Sequence, residues 1–156
     1  MNSDICYIII VNFNSFRNTS NCIKSILFST YKNYKIVIVD NCSTDNSYIL
    51  LNEKFKDDFK VILLKSENNK GYGYGINFGI KFSIKNTDCK FFWILNNDTK
   101  VFPDSLEELV KSDNASKKHT IWGSKILNEN GTIQSLGCVL NTNFMNTYHN
   151  FENNRD

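Results

Sequence analysis

The sequence predicts an α/β protein with a mostly parallel central sheet and flanking helices. Short runs of apolar, often β-branched residues alternate with longer segments whose apolar residues recur at helical spacing, and polar residues follow each short run. Consecutive strand–helix units of this kind form a parallel sheet through right-handed crossovers. The chain has 156 residues, of which 41% are hydrophobic. This suits one domain with a substantial core, and a single domain over residues 1–156 is expected.

The first two strand–helix units are predicted from the amino-terminal third of the chain. Residues 5–11 are a continuous apolar run, as expected of a strand covered on both faces. Residues 16–28 follow with apolar positions at helical spacing. Residues 36–39 predict the second strand, and the Ser-Thr-Asp sequence at 43–45 offers an N-cap for a helix that runs to about residue 55.

Two further units are predicted downstream. Residues 61–64 predict the third strand and residues 74–84 a helix with isoleucines along one side. Residues 91–95 predict the fourth strand, and a helix over 103–110 would begin with proline, which suits the first helical position. A short strand and a hairpin turn are predicted at residues 121–122 and 130–131.

Charge and cysteine content argue against several function classes. The net charge is +2, from 18 basic and 16 acidic residues that are scattered along the chain, so nucleic acid is not an expected partner. No segment approaches the roughly 20 apolar residues of a membrane span. The five cysteines include no C-x-x-C pair, so they indicate neither a disulfide framework nor a zinc site. We expect free thiols in a reducing cytoplasm.

Polar residues follow the predicted strands, at the sheet edge where α/β proteins bind ligands. After the first strand, residues 12–15 can present backbone groups to a flat ring, or form an ordinary turn. After the second, Asp40 is placed to accept the N3–H of uracil or thymine, or a ribose hydroxyl. After the third, Lys70 and glycines 71, 73 and 75 can approach a diphosphate, or form a plain glycine-rich turn. Their spacing is not that of the dinucleotide-binding motif.

The strongest signal follows the fourth strand, at Asn96-Asn97-Asp98-Thr99. A departing nucleoside diphosphate needs its charge neutralised, and a divalent cation with oxygen ligands does this. Asp98 offers a carboxylate and Asn96 an amide oxygen, whereas a helix-capping turn is the alternative interpretation. Asp40 and Asp98 are expected on neighbouring strands of one sheet rim, which favours the ligand interpretation.

The histidines and tryptophans give weaker signals. His119 and His149 have no evident partner in the sequence, and neither is assigned a catalytic or metal-binding role. Trp93 and Trp122 lie among apolar residues and are expected in the core.

Four segments stand in order along the chain, each at a predicted strand end: IIVNFN at 9–14, VDNCSTDNS at 39–47, NKGYGYGINFG at 69–79 and LNNDT at 95–99. Together they resemble the family-two glycosyltransferases of the GT-A fold, and among these the rhamnosyltransferase-like members of bacterial polysaccharide synthesis. GSKIL at 123–127 with GTIQ at 131–134 resembles a further segment of such enzymes. The resemblance covers nearly the whole chain and implies the Rossmann-like GT-A fold.

The resemblance implies sugar transfer from a UDP- or dTDP-linked donor to a hydroxyl on a glycan or lipid-linked acceptor, with inversion and with Mn or Mg as cofactor. Asp40 would bind the pyrimidine, which Val11 and Asn12 would line. Asp98 would be the metal ligand of the family's D-x-D element, with Asn96 in place of its first acid. The predicted donor-binding residues are Val11, Asn12, Asn14, Asp40, Asn41, Ser43, Lys70, Gly71, Gly73, Asn77, Asn96 and Asn97.

The family's catalytic base is an acid downstream of these segments, and no comparable acidic stretch precedes Asp156. We therefore expect a chain that lacks the acceptor-binding part, or one completed by a second polypeptide, and the base is unassigned. A non-catalytic nucleotide-sugar-binding fragment of an interrupted gene is one alternative. A nucleotidyltransferase is another, although residues 12–15 lack its glycine-rich, basic signature. Peripheral contact with the inner face of the cell membrane and formation of a homodimer stay open.

Overall fold

The computed structural model describes residues 5–85, 89–115, 121–135, 138–141 and 146–149. It divides into two compact units, Met1–Asp104 and Ser105–Asp156. The prediction of one domain over residues 1–156 stays a prediction.

The first unit contains a four-stranded sheet and three helices in its described part. In chain order these are β1 (Ile5–Asn12), α1 (Phe16–Leu27), β2 (Tyr34–Asp40), α2 (Ser47–Phe55), β3 (Val61–Lys65), α3 (Tyr72–Ser83) and β4 (Cys89–Leu95). The four strands are mutually parallel, as predicted. The prediction of an α/β fold with a parallel sheet and flanking helices is confirmed.

The strand order of this sheet is β3-β2-β1-β4. The chain therefore moves outward from β1 to β3 and then returns to the other side of β1. Because crossovers are right-handed, this reversal places α3 on the face opposite α1 and α2. It also creates a crevice between β1 and β4 at the carboxyl ends of the strands, which is where α/β proteins bind ligands.

The core is built on the two central strands. Ile8, Ile9 and Ile10 of β1 and Val37 and Val39 of β2 have no exposed surface. A central parallel strand is covered by helices on both faces, which explains its uninterrupted apolar sequence. The edge strand β4 alternates between half-buried and exposed residues.

Two glycines allow α3 to pack closely against β1. A Cβ atom on Gly75 would lie 2.9 Å from Val11 Cγ2, and one on Gly79 would lie 2.8 Å from Ile9 Cγ2. Both neighbours are β-branched core side chains with little freedom to move. The helix begins at Tyr72, two residues earlier than predicted.

The second unit has one helix and short strand pairs in its described part. Its elements are α4 (Ser105–Ala115), β5 (Ile126–Leu127), β6 (Ile133–Ser135), β7 (Cys138–Asn141) and β8 (Asn146–His149). β5 pairs antiparallel with β6, and β7 with β8. Gly131 has a positive φ of 82° between β5 and β6, so the predicted hairpin is confirmed.

Three sequence predictions near this unit are wrong. The helix begins at Ser105 rather than at Pro103, which lies in the preceding turn and whose carbonyl accepts a hydrogen bond from Thr30 N. Residues 121–122 form no strand. Trp122 is 42% exposed, and its indole N–H donates to Asp113 Oδ1 over 3.3 Å at the surface.

In the described ranges, no helix is long and apolar enough to cross a membrane.

The substitution Gly79→Ala tests the close packing of α3. We expect a loss of about 1–3 kcal/mol in the free energy of unfolding, because the new Cβ would overlap Ile9. Gly73→Ala in the same helix is the matched control, since nothing lies within 4 Å of its Cβ position and alanine favours helix. Urea denaturation would measure both variants, and equal midpoints would contradict the packing.

Candidate functional site

A cavity of about 470 Å³ opens at the carboxyl ends of the parallel strands. Its size falls in the usual range for small-molecule sites. All of its lining residues belong to the first unit and come from the end of β1, the segments that follow the four strands, and the first residue of α3. They are Val11, Phe13, Ser15, Asn41, Asn69, Gly71, Tyr72, Asn96, Asn97 and Asp98.

A buried polar layer lies at the same strand ends, centred on Asn12 and Asp40, which are paired across β1 and β2 and have no exposed surface. Asn12 Nδ2 donates to Asp40 Oδ2 over 2.8 Å and to Ser43 Oγ over 3.1 Å. Ser43 donates to Asp40 through its backbone N–H at 2.9 Å and its hydroxyl at 2.7 Å. The carboxylate thus has three donors, which compensate for its removal from water.

The layer continues into α1 and the segment after β4. The hydroxyl of Thr19, a buried residue, donates to Asn12 Oδ1 over 2.7 Å and accepts from Asn97 Nδ2 over 3.1 Å. A continuous hydrogen-bonded chain of side chains therefore links the end of β2, through β1 and α1, to the segment after β4. These hydrogen bonds hold the ends of β1 and β2, helix α1 and the segment after β4 in fixed positions relative to one another.

A second set of contacts joins the loops after β1 and β2. Asn14 has a positive φ of 48°, which asparagine tolerates better than most residues. Its Oδ1 accepts from Thr44 N over 2.8 Å, and its Nδ2 donates to Thr44 Oγ1 over 3.0 Å. The prediction of an N-cap within residues 43–45 is wrong, because the N-cap of α2 is Asn46, which makes no side-chain cap hydrogen bond. Asp45, the residue before it, accepts from Ser47 N over 2.8 Å. The Ser47 hydrogen bonds also lower the pKa of Asp45.

Asn41 lies in the cavity wall and has one unsatisfied polar atom. Its Nδ2 donates to Asn69 Oδ1 over 2.9 Å and to the Gly71 carbonyl over 3.1 Å. A carbonyl only accepts, so this contact defines which way the amide points. Asn41 Oδ1 is buried and has no hydrogen-bond partner. Since an unpaired buried acceptor costs about 1–3 kcal/mol, this atom has an unmet capacity to accept a hydrogen bond.

The opposite part of the lining carries the negative charge. Asn96 and Asp98 are exposed to the cavity. Two contacts hold the Asn96 backbone carbonyl: the Cys22 thiol donates to it over 3.7 Å and Thr99 N over 3.2 Å. Burial and the neighbouring Asp98 carboxylate raise the pKa of Cys22 to about 12, so Cys22 stays a neutral thiol beneath the acidic group.

The side-chain oxygens of Asp98 and Asn96 suit a divalent cation that binds together with a ligand. Among the described residues, no group of three or more His, Cys, Asp or Glu side chains could hold a metal. Asp98 and Asn96 nevertheless offer one carboxylate and one amide oxygen at the cavity surface. Magnesium-like ions are often bound by one or two carboxylates together with substrate phosphates. The residues therefore fit a shared site and not a preformed metal cage.

The structure brings many of the predicted donor-binding residues together. Six predicted residues line the cavity: Val11, Asn41, Gly71, Asn96, Asn97 and Asp98. Asn12, Asp40 and Ser43 form the polar layer, and Asn14 joins the two loops. Lys70, Gly73 and Asn77 are not among the lining residues, and their roles in donor binding stay predictions.

Two features of the site differ from the sequence analysis. The strands that lead to Asp40 and Asp98 are not neighbours, because β1 lies between β2 and β4; their carboxyl ends still share one rim. The cavity also includes Phe13, Ser15, Asn69 and Tyr72, which were not predicted to bind the donor. A sequence signal existed for Phe13, since a large apolar residue between two asparagines after a strand is poorly placed for the core.

Comparison with known proteins identifies the family. The family "Glycosyl transferase family 2" matches residues 7–136. The glycosyltransferase GlyG of Streptococcus pneumoniae serotype 4 is 28% identical over 107 residues, which are 69% of this chain and 34% of GlyG. The chain thus spans about a third of the length of that relative.

Solved glycosyltransferase structures share the fold. Staphylococcus aureus TarS, solved with UDP-GlcNAc, matches with a TM-score of 0.62 at 16% identity, over 81% of this chain and 41% of that chain. The mannosyltransferase PcManGT of Pyrobaculum calidifontis, solved with GDP-Man and Mn2+, matches with a TM-score of 0.58 at 18% identity, over 68% of this chain and 31% of that one. The predicted GT-A fold is confirmed.

Thr19→Val tests the hydrogen-bonded chain beneath the cavity. The substitution keeps the shape of the side chain but leaves Asn12 Oδ1 and Asn97 Nδ2 without their shared partner. We expect a loss of about 1–3 kcal/mol in the free energy of unfolding. Thr44→Val, which removes a hydroxyl with an exposed hydrogen bond, should cost no more than about 0.5 kcal/mol. Equal unfolding midpoints of the two variants in urea would show that the hydrogen bonds of Thr19 do not stabilise the protein.

Proposed function

The chain belongs to glycosyl transferase family 2, and we propose that its cavity binds the nucleoside diphosphate part of a UDP- or dTDP-linked sugar donor. The sugar is transferred to a hydroxyl on a glycan or lipid-linked acceptor, with inversion at the anomeric carbon, as in the rhamnosyltransferase-like members of bacterial polysaccharide synthesis. We place the reaction in the cytoplasm or at the inner face of the cell membrane. The observation that carries the proposal is that one cavity is lined both by Asn41, whose buried Oδ1 has no hydrogen-bond partner, and by the exposed residue Asp98.

The base is recognised in the part of the cavity lined by Asn41 and Phe13. Uracil and thymine carry an imide N3–H, a donor that satisfies Asn41 Oδ1. The ring of Phe13 is 43% exposed although it follows a buried strand, and an exposed aromatic face is suited to stacking on a flat base. Val11 adds an apolar contact from the end of β1.

We assign Asp40 a supporting role in base recognition. It has no exposed surface, so direct contact with the base would require the side chains around it to move. Direct binding of the pyrimidine by Asp40, which the family resemblance implies, stays a prediction. In the supporting role, Asp40 fixes Asn12 and Ser43 and thereby the loops on which the cavity is built.

The diphosphate is placed beside Asp98. A divalent cation held by Asp98 and Asn96 would neutralise charge on the departing nucleoside diphosphate. The amino terminus of α3 adds favourable backbone dipoles for an anion, and Lys70 directly precedes Gly71, which lines the cavity. The catalytic base is unassigned, so the proposal assigns roles on the donor side of the reaction alone.

A panel of nucleotide sugars tests the donor and metal assignments. Calorimetry should detect tighter binding of UDP- and dTDP-sugars than of GDP-sugars, and binding should strengthen with Mn2+. Mn2+ alone should show no measurable binding, because the chain supplies one carboxylate to the site. Asp98→Ala should weaken the Mn2+-dependent affinity by about tenfold or more, as metal-ligand contacts usually do.

Asp57→Ala is the control for this panel, because Asp57 is an exposed acid in the segment that precedes β3, at the other end of the sheet. It should bind donor like the wild type. Donor binding that is indifferent to both Mn2+ and Asp98→Ala would contradict the metal assignment.

A double-mutant cycle between ligand and protein tests the role of Asn41. UDP and its 3-methyluridine analogue differ at N3–H, so the analogue should bind the wild type about tenfold more weakly, the cost of one unmet hydrogen bond. In Asn41→Ala the two ligands should differ much less, since the acceptor has been removed. If methylation weakens binding equally in both proteins, then N3–H does not bind Asn41.

A further inference from the structure

We propose that Tyr72 is a positioning residue that orients the amide oxygen of Asn96 for the cation that would accompany the diphosphate. The inference rests on the proposed function, because it assigns a role within the same donor site. Tyr72 is the first residue of α3 and lies in the segment that contains glycines 71, 73 and 75. Its hydroxyl contacts Asn96, the residue in place of the first acid of the D-x-D element.

The backbone before α3 places the Tyr72 ring in the cavity. Gly71 has a φ of 88°, in the left-handed region that favours glycine. Its N–H donates to Asn69 Oδ1 over 3.0 Å, and its carbonyl accepts from Asn41 Nδ2. With Gly71 held on both sides, the first residue of α3 starts from a defined position. The Tyr72 side chain is 48% exposed and lines the cavity.

Tyr72 spans the distance between two parts of the lining. Its ring comes from the segment after β3, at one edge of the sheet, whereas Asn96 follows β4 at the other edge. The phenolic oxygen lies 3.0 Å from Asn96 Oδ1. Because an amide oxygen only accepts, the hydroxyl is the donor.

The contact fixes the remaining freedom of Asn96. The backbone carbonyl of this residue already accepts from the Cys22 thiol and from Thr99 N, which leaves the side-chain torsions to be set. An Oδ1 atom that accepts one hydrogen bond retains a second lone pair for a cation. A neutral amide attracts a cation less than a carboxylate does. Fixing the orientation of the Asn96 amide before the cation binds therefore contributes more to affinity here.

Tyr74 provides a matched control two residues along the same helix. It is 39% exposed, close to the exposure of Tyr72, but it is not among the cavity-lining residues. Its ring stacks on Phe78 with centroids 6.3 Å apart, and Lys70 Nζ lies 5.2 Å from its centre. Tyr74→Phe therefore removes a comparable hydroxyl without touching Asn96.

The experiment is a calorimetric double-mutant cycle on the 156-residue chain, with UDP and Mn2+ as the probe. Tyr72→Phe should weaken Mn2+-dependent UDP binding by about tenfold, the usual effect of removing a partner that orients a metal ligand. In an Asn96→Ala background the same substitution should have little further effect. Metal-free binding of UMP should be unchanged in Tyr72→Phe, and Tyr74→Phe should match the wild type throughout.

Three results would overturn the inference. Unchanged or tighter binding by Tyr72→Phe would show that the hydroxyl does not assist the site. An equal loss with and without Asn96 would show that Tyr72 contacts the ligand directly. A wild type that binds no nucleotide with or without Mn2+ would overturn the proposed function itself, and the inference with it, which distinguishes that failure from the other two.

Discussion

The rest of the site depends on the hydrogen bonds made by the side chain of Asn12. Its amide nitrogen binds Asp40 and Ser43, and its oxygen accepts from Thr19, which in turn binds Asn97. Asn12, Asp40 and Thr19 have no exposed surface, and an unpaired polar group in that environment is costly. The loops after β1, β2 and β4 therefore cannot shift independently without breaking a buried hydrogen bond.

Satisfied and unsatisfied polar groups have different roles at this sheet edge. Asp40 accepts three hydrogen bonds from Asn12 and Ser43, which hold its carboxylate in place. Asn41 Oδ1, one residue further along the chain, is buried and has no hydrogen-bond partner, and Asp98 is exposed and lines the cavity. Polar groups whose hydrogen bonds are satisfied within the protein build the cavity, whereas polar groups with an unused acceptor are available to a ligand.

Core packing and site geometry are coupled through α3. Gly75 and Gly79 let this helix lie against Val11 and Ile9, and the position of the helix determines where its first residue emerges. Tyr72 then reaches Asn96 across the cavity. A change in the packing of α3 on β1 would therefore move one side of the donor site relative to the other.

The sequence by itself determined the strands and helices of the first unit, their parallel arrangement and the ordered polar segments at the strand ends, because apolar periodicity and turn chemistry act over a few residues. Only the tertiary structure placed β1 between β2 and β4, buried Asp40, left the Oδ1 atom of Asn41 without a hydrogen-bond partner, and brought Thr19 and Tyr72 to the segment after β4. The reason is physical: Asn12 meets Asp40 across 28 residues and Asn97 meets Thr19 across 78. Strand order and helix packing determine which of these distant residues meet, and the local pattern of apolar and polar residues does not specify either.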